Sequence, residues 1–446
     1  MLVLKFGGTS VGDAERIRTV ADLVRQALPK RPVVVASAHK GVTDMLFRMG
    51  QEALHGKINL EPLRERHLKI IRDLGVPETV MENLLDELAN LLQGISMVKE
   101  LTPRTKDYVA SFGERLSVRT IAAYLAQAGI PAKAVDAFDL GLITDSNFGA
   151  ANPLPEADQI MHWNIRRIEG VPVITGYVGK DKNGDITTLG RNGSDYSATI
   201  IGAAIGAEEV QIWTDVDGVM TTDPDIVPHA RPLDQMSFAE AGELAYYGGR
   251  VLHPSTLIPA IRKDIPVRVL NTFKPESKGT VILRQTPIKQ VVKSIGYKDD
   301  LFLITIVSTR MLMHYGFMAK IFEIFGRHRI VIDMIATSEV SVSLTTDSDV
   351  NLDQAVKELS QIAEVTVEPG KAIICVVGEG IKRSLEVPSL VFGALRERNI
   401  KVQMISQGST QVNLALLVDS ANVVDAVQAL HDSFFDVQKP VIPALP

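Results

Sequence analysis

The chain has 446 residues, a formal net charge of −6 and a mean hydropathy of +0.11. An acidic balance without a long basic run excludes nucleic acid as an expected partner, and no apolar run approaches the ~20 residues of a membrane span. The single cysteine, Cys375, excludes a framework of internal disulfides and fits a reducing cytoplasm.

The length predicts two or three domains. Residues 2–6 read as a short buried strand broken by one charge, Lys5. The chain enters this strand at once, so no secretory signal is expected. Gly7 and Gly8 end the strand, and a helix follows over 13–24, with Thr9 or Ser10 as its expected cap. A strand, a glycine turn and a helix start form an anion site, because N–H groups and the helix dipole converge there. Lys5 can aim its ammonium into the same place. A Gly-Gly turn alone is more often plain connection. This one carries neither the Gly-Lys-Ser/Thr of a Walker loop nor the spacing of a dinucleotide loop.

Residues 31–38 form a second buried strand, and the βαβ unit implies parallel pairing. Ser37, His39, Lys40, Gly41, Thr43 and Asp44 crowd its carboxyl end, where open α/β sheets bind ligands. Two amphipathic helices then read as a helical insertion over about 46–100 whose charges are solvated faces. A helix over 107–128 carries Glu114 just after Gly113, and strands follow near 132–135 and 171–174. The stretch 186–198 is a second glycine turn feeding a helix. It brings Arg191, whose fork matches a carboxylate or phosphate, together with Ser194 and Asp195. A strand over 209–214 leads to Asp215, Asp217, Asp223 and Asp225, whose spacing fits no calcium loop and favours a loop beside a nucleotide. A helix follows over 238–247. His253, before Pro254, reads as a buried structural histidine, and strands at 266–270 and 280–283 close the domain.

After Pro287 the pattern changes. Phe322, Ile330, Met334, Ile335, Val342 and Leu344 recur at an offset of 70 as Phe392, Ile400, Met404, Ile405, Val412 and Leu414. A period this long marks a duplicated small domain. Each copy suits a ferredoxin-like split βαβ unit, whose sheet edges are hidden by pairing with a partner. Cys375, in the apolar run 373–377, reads as a small buried hydrophobe.

Taken together, Lys5-Phe6-Gly7-Gly8-Thr9-Ser10, the loop from Thr188 to Asp195, Trp213-Thr214-Asp215-Val216-Asp217-Gly218 and Val251-Leu252-His253-Pro254 resemble the motifs of the aspartokinases. The C-terminal pair resembles ACT regulatory domains, with Thr337-Ser338-Glu339-Val340-Ser341-Val342 a characteristic run. The resemblance covers nearly the whole chain. It implies an amino acid kinase domain over 1–285, a parallel-rich sheet between helices. A first ACT domain over 290–370 and a second over 371–440, its sheet completed by 291–296, would follow.

The resemblance also implies roles. ATP would phosphorylate the β-carboxylate of L-aspartate, with Mg2+ carried on the nucleotide phosphates and no tightly bound cofactor or protein-held metal. Lys5 would neutralise the transferring phosphoryl, Asp195 would orient Lys5, and Gly7 and Gly8 would offer N–H groups to the phosphates. Phe6, Thr214, Asp215, Met220, Asp225, Arg250 and Val251 would border the nucleotide. Arg191 would clamp an aspartate carboxylate, Glu114 would meet its ammonium, and Ser37, Thr43 and Ser194 would add hydrogen bonds. Met311, Gly316, Phe317, Asp333, Thr337 and Ser338 would build an effector pocket, with lysine the leading effector and a homodimer joined through the ACT regions.

The chain departs from the family at several points. Asn192 stands where glycine is frequent, a change that asparagine tolerates in a left-handed backbone. Met220 replaces a frequent tyrosine, Asp225 an arginine and Arg250 a lysine. His314 and Val331 replace polar residues of known effector pockets, which keeps threonine open as the effector. Two other readings are a kinase of the same fold for glutamate or acetylglutamate, and a non-catalytic amino-acid sensor. Glu114 with Arg191 favours a free amino acid, and a sensor has no need of a phosphoryl-stabilising lysine.

Overall fold

The computed structural model describes residues 1–248, 252–288, 290–311, 315–408 and 412–435, leaving aside the side chains of Pro254 and Arg310. The chain forms two compact units, one of 1–219, 232–238 and 251–286 and the other of 220–231, 239–250 and 287–446.

The first unit is built on βαβ crossovers. In order come β1 (Leu2–Phe6), α1 (Ala14–Ala27), β2 (Pro32–Ala36), α2 (Val42–Leu54), α3 (Glu61–Leu74), α4 (Thr79–Val98) and α5 (Pro103–Gln127). Then follow β3 (Ala132–Val135), β4 (Ile143–Thr144), α6 (Ala157–Arg166), β5 (Val171–Thr175), β6 (Val178–Asp181), β7 (Ile186–Thr188), α7 (Gly193–Ile205) and β8 (Glu209–Thr214). After β9 (Gln235–Ser237), α8 (Phe238–Tyr246) belongs from Ala239 onward to the second unit, and α9 (Pro254–Lys263), β10 (Val267–Asn271) and β11 (Thr280–Leu283) return to the first. The main sheet has the order β3-β5-β2-β1-β8-β10-β11-β9, parallel except at the β10–β11 pair. β1 lies at its centre, with Lys5 opposite Val35 on one side and Ile212 on the other. Strands buried on both faces read as continuous apolar runs, which is why β1 and β2 are legible as such.

Three sequence expectations change here. The helices after β2 begin at Val42, and Leu63, Ile71, Leu88 and Leu92 belong to the same apolar core as Leu4, Phe6 and Val34. The insertion is thus part of the domain core. Asp13 caps α1 by accepting the Arg16 N–H at 3.0 Å. The Ser10 hydroxyl is instead engaged with Thr272 Oγ1 at 2.7 Å and the Trp213 carbonyl at 3.3 Å. His253 is exposed, and its Nδ1 accepts the Ser255 N–H at 3.3 Å as the cap of α9, a position that opens to solvent.

The second unit continues with β12 (Ser294–Val307), α10 (Phe317–Arg327), β13 (Ile335–Thr337), β14 (Ser341–Thr346), α11 (Leu352–Leu359) and β15 (Glu364–Val377). It ends with α12 (Glu386–Glu397), β16 (Met404–Ser406), β17 (Asn413–Asp419) and α13 (Val423–Phe435). The two sequence copies share one six-stranded sheet, β13-β14-β12-β15-β17-β16. β12 and β15 run the full width: Ser294–Lys298 pair with 373–377, and 303–307 pair with 364–368. Helices cover one face in two apolar clusters, one under α10 and α11 and the other under α12 and α13. The other face carries Leu301, Met334, Ile373, Cys375, Val377 and Met404. Met334 and Met404, one repeat apart, occupy equivalent places there, and Cys375 is fully buried among them.

Candidate active site

Alternation along β1 puts Leu4 and Phe6 into the core on one face and turns Lys5 to the other. The first turn of α7 lies there. Its cap, Asn192, is left-handed at φ 52°, the conformation asparagine accepts at little cost. That turn brings Asp195 to Lys5, and the Nζ–Oδ1 distance is 2.5 Å with both side chains 9% exposed. A charge pair this far from water holds only because each ion answers the other.

The β1–α1 turn is closed tightly against the loop after β2. A Cβ on Gly8 would lie 2.9 Å from the Ala38 carbonyl, so only glycine allows the approach. The Gly8 carbonyl accepts the Lys40 N–H at 3.1 Å. Gly7 differs from expectation, because its N–H donates to the Trp213 carbonyl at 3.2 Å and extends the β1–β8 ladder. Ser37 donates its N–H to the Phe6 carbonyl at 3.1 Å, and Thr43, half-buried, stands in the first turn of α2.

Glu114 lies midway along α5. A Cβ on Gly113 would meet the Ala38 Cβ at 2.7 Å, so this glycine lets α5 reach the end of β2. Glu114 Oε1 then accepts the Ala38 N–H at 3.1 Å, while Oε2 is buried without a partner. Burial pushes its pKa up to about 8, and the Ala38 N–H only partly offsets this. Asp107, also on α5, accepts the Gly149 N–H and both the N–H and hydroxyl of Thr188, holding the end of β7 before the glycine turn. Ser194 sits 2.6 Å from the place a Gly176 Cβ would take.

Sequence reasoning missed Tyr177, which follows Gly176 at the carboxyl end of β5 with φ 66°, unusual for an aromatic residue. Burial raises its pKa to about 12, with Glu114 and Asp107 as neighbouring charges. The available signal was position, since Gly176-Tyr177 ends a strand as Gly7-Gly8 does. Lys5, Ser37, Tyr177 and Thr214 all stand at carboxyl ends of adjacent strands of one parallel sheet, where such folds bind ligands.

The amino acid kinase family profile matches residues 1–271, and an ACT domain profile matches 304–362 and 374–434. The chain is 44% identical to aspartokinase 2, chloroplastic, of Arabidopsis thaliana, over 97% of this chain and 84% of the relative. It is 35% identical to the lysine-sensitive aspartokinase 3 of Escherichia coli, over 98% and 99% of the two chains. The chain belongs to the aspartokinases. The crystal structure of E. coli aspartokinase III in complex with aspartate and ADP superposes with a TM-score of 0.85 at 33% identity, covering 98% of this chain and all of that one.

The remaining positions implied by the aspartokinase resemblance fall as follows. Arg191 is exposed on the turn between β7 and α7. Thr214 ends β8, its carbonyl accepts the Thr272 N–H at 2.9 Å, and its hydroxyl donates to the exposed Asp215 at 3.2 Å. Asp217 is held by Lys274 at 2.8 Å and Asn271 at 2.5 Å, which pull its carboxyl below its ordinary range. Met220 and Asp225 belong to the second unit. The Met220 carbonyl accepts the Ser294 hydroxyl at 2.8 Å, and the Asp225 N–H donates to Asp223 at 3.0 Å. Arg250, Val251 and His314 lie outside the described residues.

In the ACT half, Gly316 starts α10 at φ 82°, while Met311 and Phe317 pack on the first helical cluster. Thr337 is exposed at the end of β13, and the Ser338 hydroxyl is 2.7 Å from that of Ser341. The resemblance places Asp333 in the expected effector pocket. Its side chain is fully buried, and Oδ1 already accepts from Lys298 Nζ at 2.7 Å and Tyr246 Oη at 2.6 Å, leaving Oδ2 unpartnered. β12 supplies that lysine, which sequence separation concealed. No helix among the described residues is long and apolar enough to cross a membrane.

Proposed function

We propose that the chain transfers the γ-phosphoryl of MgATP to the β-carboxylate of L-aspartate. A carboxylate oxygen attacks phosphorus, the bond to the β,γ-bridging oxygen breaks, and ADP leaves with 4-phospho-L-aspartate as the product. The observation that carries this reading is the buried Lys5–Asp195 pair, taken together with the unpartnered buried oxygen of Glu114. Phosphoryl transfer needs positioning and charge stabilisation more than covalent help. Lys5 supplies a preorganised positive charge, and Asp195 keeps it in place.

Glu114 Oε2 suits a substrate ammonium, which an N-acetylated substrate lacks. Arg191 takes the α-carboxylate through its fork, with Ser37, Thr43 and Ser194 completing the polar contacts. The complex of the E. coli relative with aspartate and ADP supports the same substrate pair. Mg2+ enters with the nucleotide, held by phosphates and water. The deciding assay mixes ATP, aspartate and hydroxylamine, which traps an acyl phosphate as the hydroxamate. Hydroxamate from glutamate but not from aspartate refutes the assignment.

Feedback control through the ACT sheet is the regulatory part of the proposal, with lysine as effector. The name of the lysine-sensitive E. coli relative supports it. Inhibition requires the effector to bind one conformation better than another. The working assembly is a homodimer joined through the edges of the six-stranded sheet.

A further inference from the structure

The second unit gathers two imidazoles and a carboxylate from distant parts of the chain. His229 lies on the loop 220–231, and His431 and Asp432 lie near the carboxyl end of α13. One ligand-capable atom of each lies within 4.8 Å of the others. His229 Nε2 is 3.6 Å from Asp432 Oδ1, and the two imidazole centroids are 5.0 Å apart, edge to face. Tetrahedral zinc with bonds of ~2.0–2.2 Å separates neighbouring ligand atoms by roughly 3.3–3.6 Å. One edge of such a site is therefore already formed. His229 and Asp432 are 67% and 45% exposed, so their side chains are free to turn toward the third ligand.

His431 is the anchor. It is 1% exposed, its Nε2 lies 3.0 Å from Thr221 Oγ1, and its Nδ1 is buried without a partner. Thr221 Oγ1 accepts the Arg231 N–H at 3.0 Å and has a second lone pair for the Nε2–H of His431. That assignment leaves Nδ1 a bare lone pair. An oxygen acceptor holding the far N–H is the usual support of a metal-ligating imidazole. The carboxyl end of α13 adds the negative pole of its dipole. The Arg231 guanidinium, the cation of the same loop, donates to the Phe435 carbonyl at 2.9 Å.

We propose that His229, His431 and Asp432 bind a divalent ion of the zinc class, pinning the loop 220–231 to α13. Two nitrogen ligands favour Zn2+, Co2+ or Ni2+ over Mg2+ and Ca2+, which take oxygen. The site is thus chemically separate from the ion that accompanies ATP.

The test titrates Co2+ into the full-length chain and follows the visible absorption of the four-coordinate ion. His229→Ala, Asp432→Asn and the double variant are measured in parallel; both side chains are exposed, so folding is preserved. The expected result is one Co2+ per chain, displaced by Zn2+ and not by millimolar Mg2+, with either substitution weakening binding by at least the roughly 10- to 100-fold that loss of an outer-shell partner costs. Zn2+ should also raise the thermal midpoint of the unsubstituted chain alone. Equal Co2+ binding and equal Zn2+ stabilisation in the double variant would overturn the proposal, as would displacement by Mg2+.

Discussion

Glutamine at position 114 cannot ionise to meet the ammonium proposed to bind there, while it retains the acceptor for the Ala38 N–H. The Glu114 pKa of about 8, against an ordinary 4.5, means that the substrate-free carboxyl is protonated at pH 7. At 1.36 kcal/mol per pKa unit, ionising it in the folded chain costs on the order of 5 kcal/mol more than in the unfolded one. The sign follows from the proton count. Between pH 4.5 and about 8 the folded chain holds a proton that the unfolded chain has released, so Glu114 lowers stability as pH rises through that window. Glu114→Gln should therefore gain stability relative to the unsubstituted chain above pH 8, read by thermal melts. An arriving ammonium favours the charged form, so aspartate binding at pH 7 should expel a proton from Glu114. Calorimetry in buffers of different ionisation enthalpy measures this directly. In Glu114→Gln this proton release should vanish, and KM for aspartate should rise roughly 10- to 150-fold, the value of one charged hydrogen bond of about 1.5–3 kcal/mol. Identical heats in all buffers for the unsubstituted chain, or an unchanged KM in the variant, refute the reasoning.

Lys5→Ala and Asp195→Ala should each lower kcat by about 100- to 1000-fold, with circular dichroism confirming the fold. Each also strands a buried charge, so chemical denaturation should show a loss of ~3–5 kcal/mol. Arg191→Lys should raise KM for aspartate and leave that for ATP unchanged, because a point ammonium cannot copy a planar fork; the opposite pattern assigns Arg191 to the nucleotide. Asp333→Ala should relieve lysine inhibition with basal kcat nearly unchanged, a coupling of ~1–3 kcal/mol being lost; titration of both proteins with lysine and with threonine tests the pocket and the effector together. Light scattering at micromolar concentration should give the mass of a dimer, and a persistent monomer contradicts assembly through the ACT sheet.

What the sequence determined by itself is whatever depends on neighbours along the chain. Apolar runs ending in glycine marked β1, β2 and their turns, since a doubly buried strand has no polar face to alternate. Asn192 could be placed in a left-handed cap because its side chain tolerates one. The recurrence at an offset of 70 exposed the duplicated half before any packing was known. The roles expected of Lys5, Glu114, Arg191 and Asp195 came from the resemblance of their motifs to the aspartokinases, since each residue alone is a weak signal.

Tertiary structure decided every matter of partnership. Asp13 won the α1 cap from Ser10 because the Ser10 hydroxyl finds Thr272, far down the chain. The Gly7 amide goes to Trp213 because β8 lies beside β1. Glu114 takes its raised pKa from the depth at which Gly113 seats α5 against Ala38, and no local pattern encodes that depth. Lys298 reaches Asp333 through the folding of β12 along β14. Propensity and periodicity act over a few residues. Burial and charge pairing depend on distances in space, and those distances exist only once the sheets have formed.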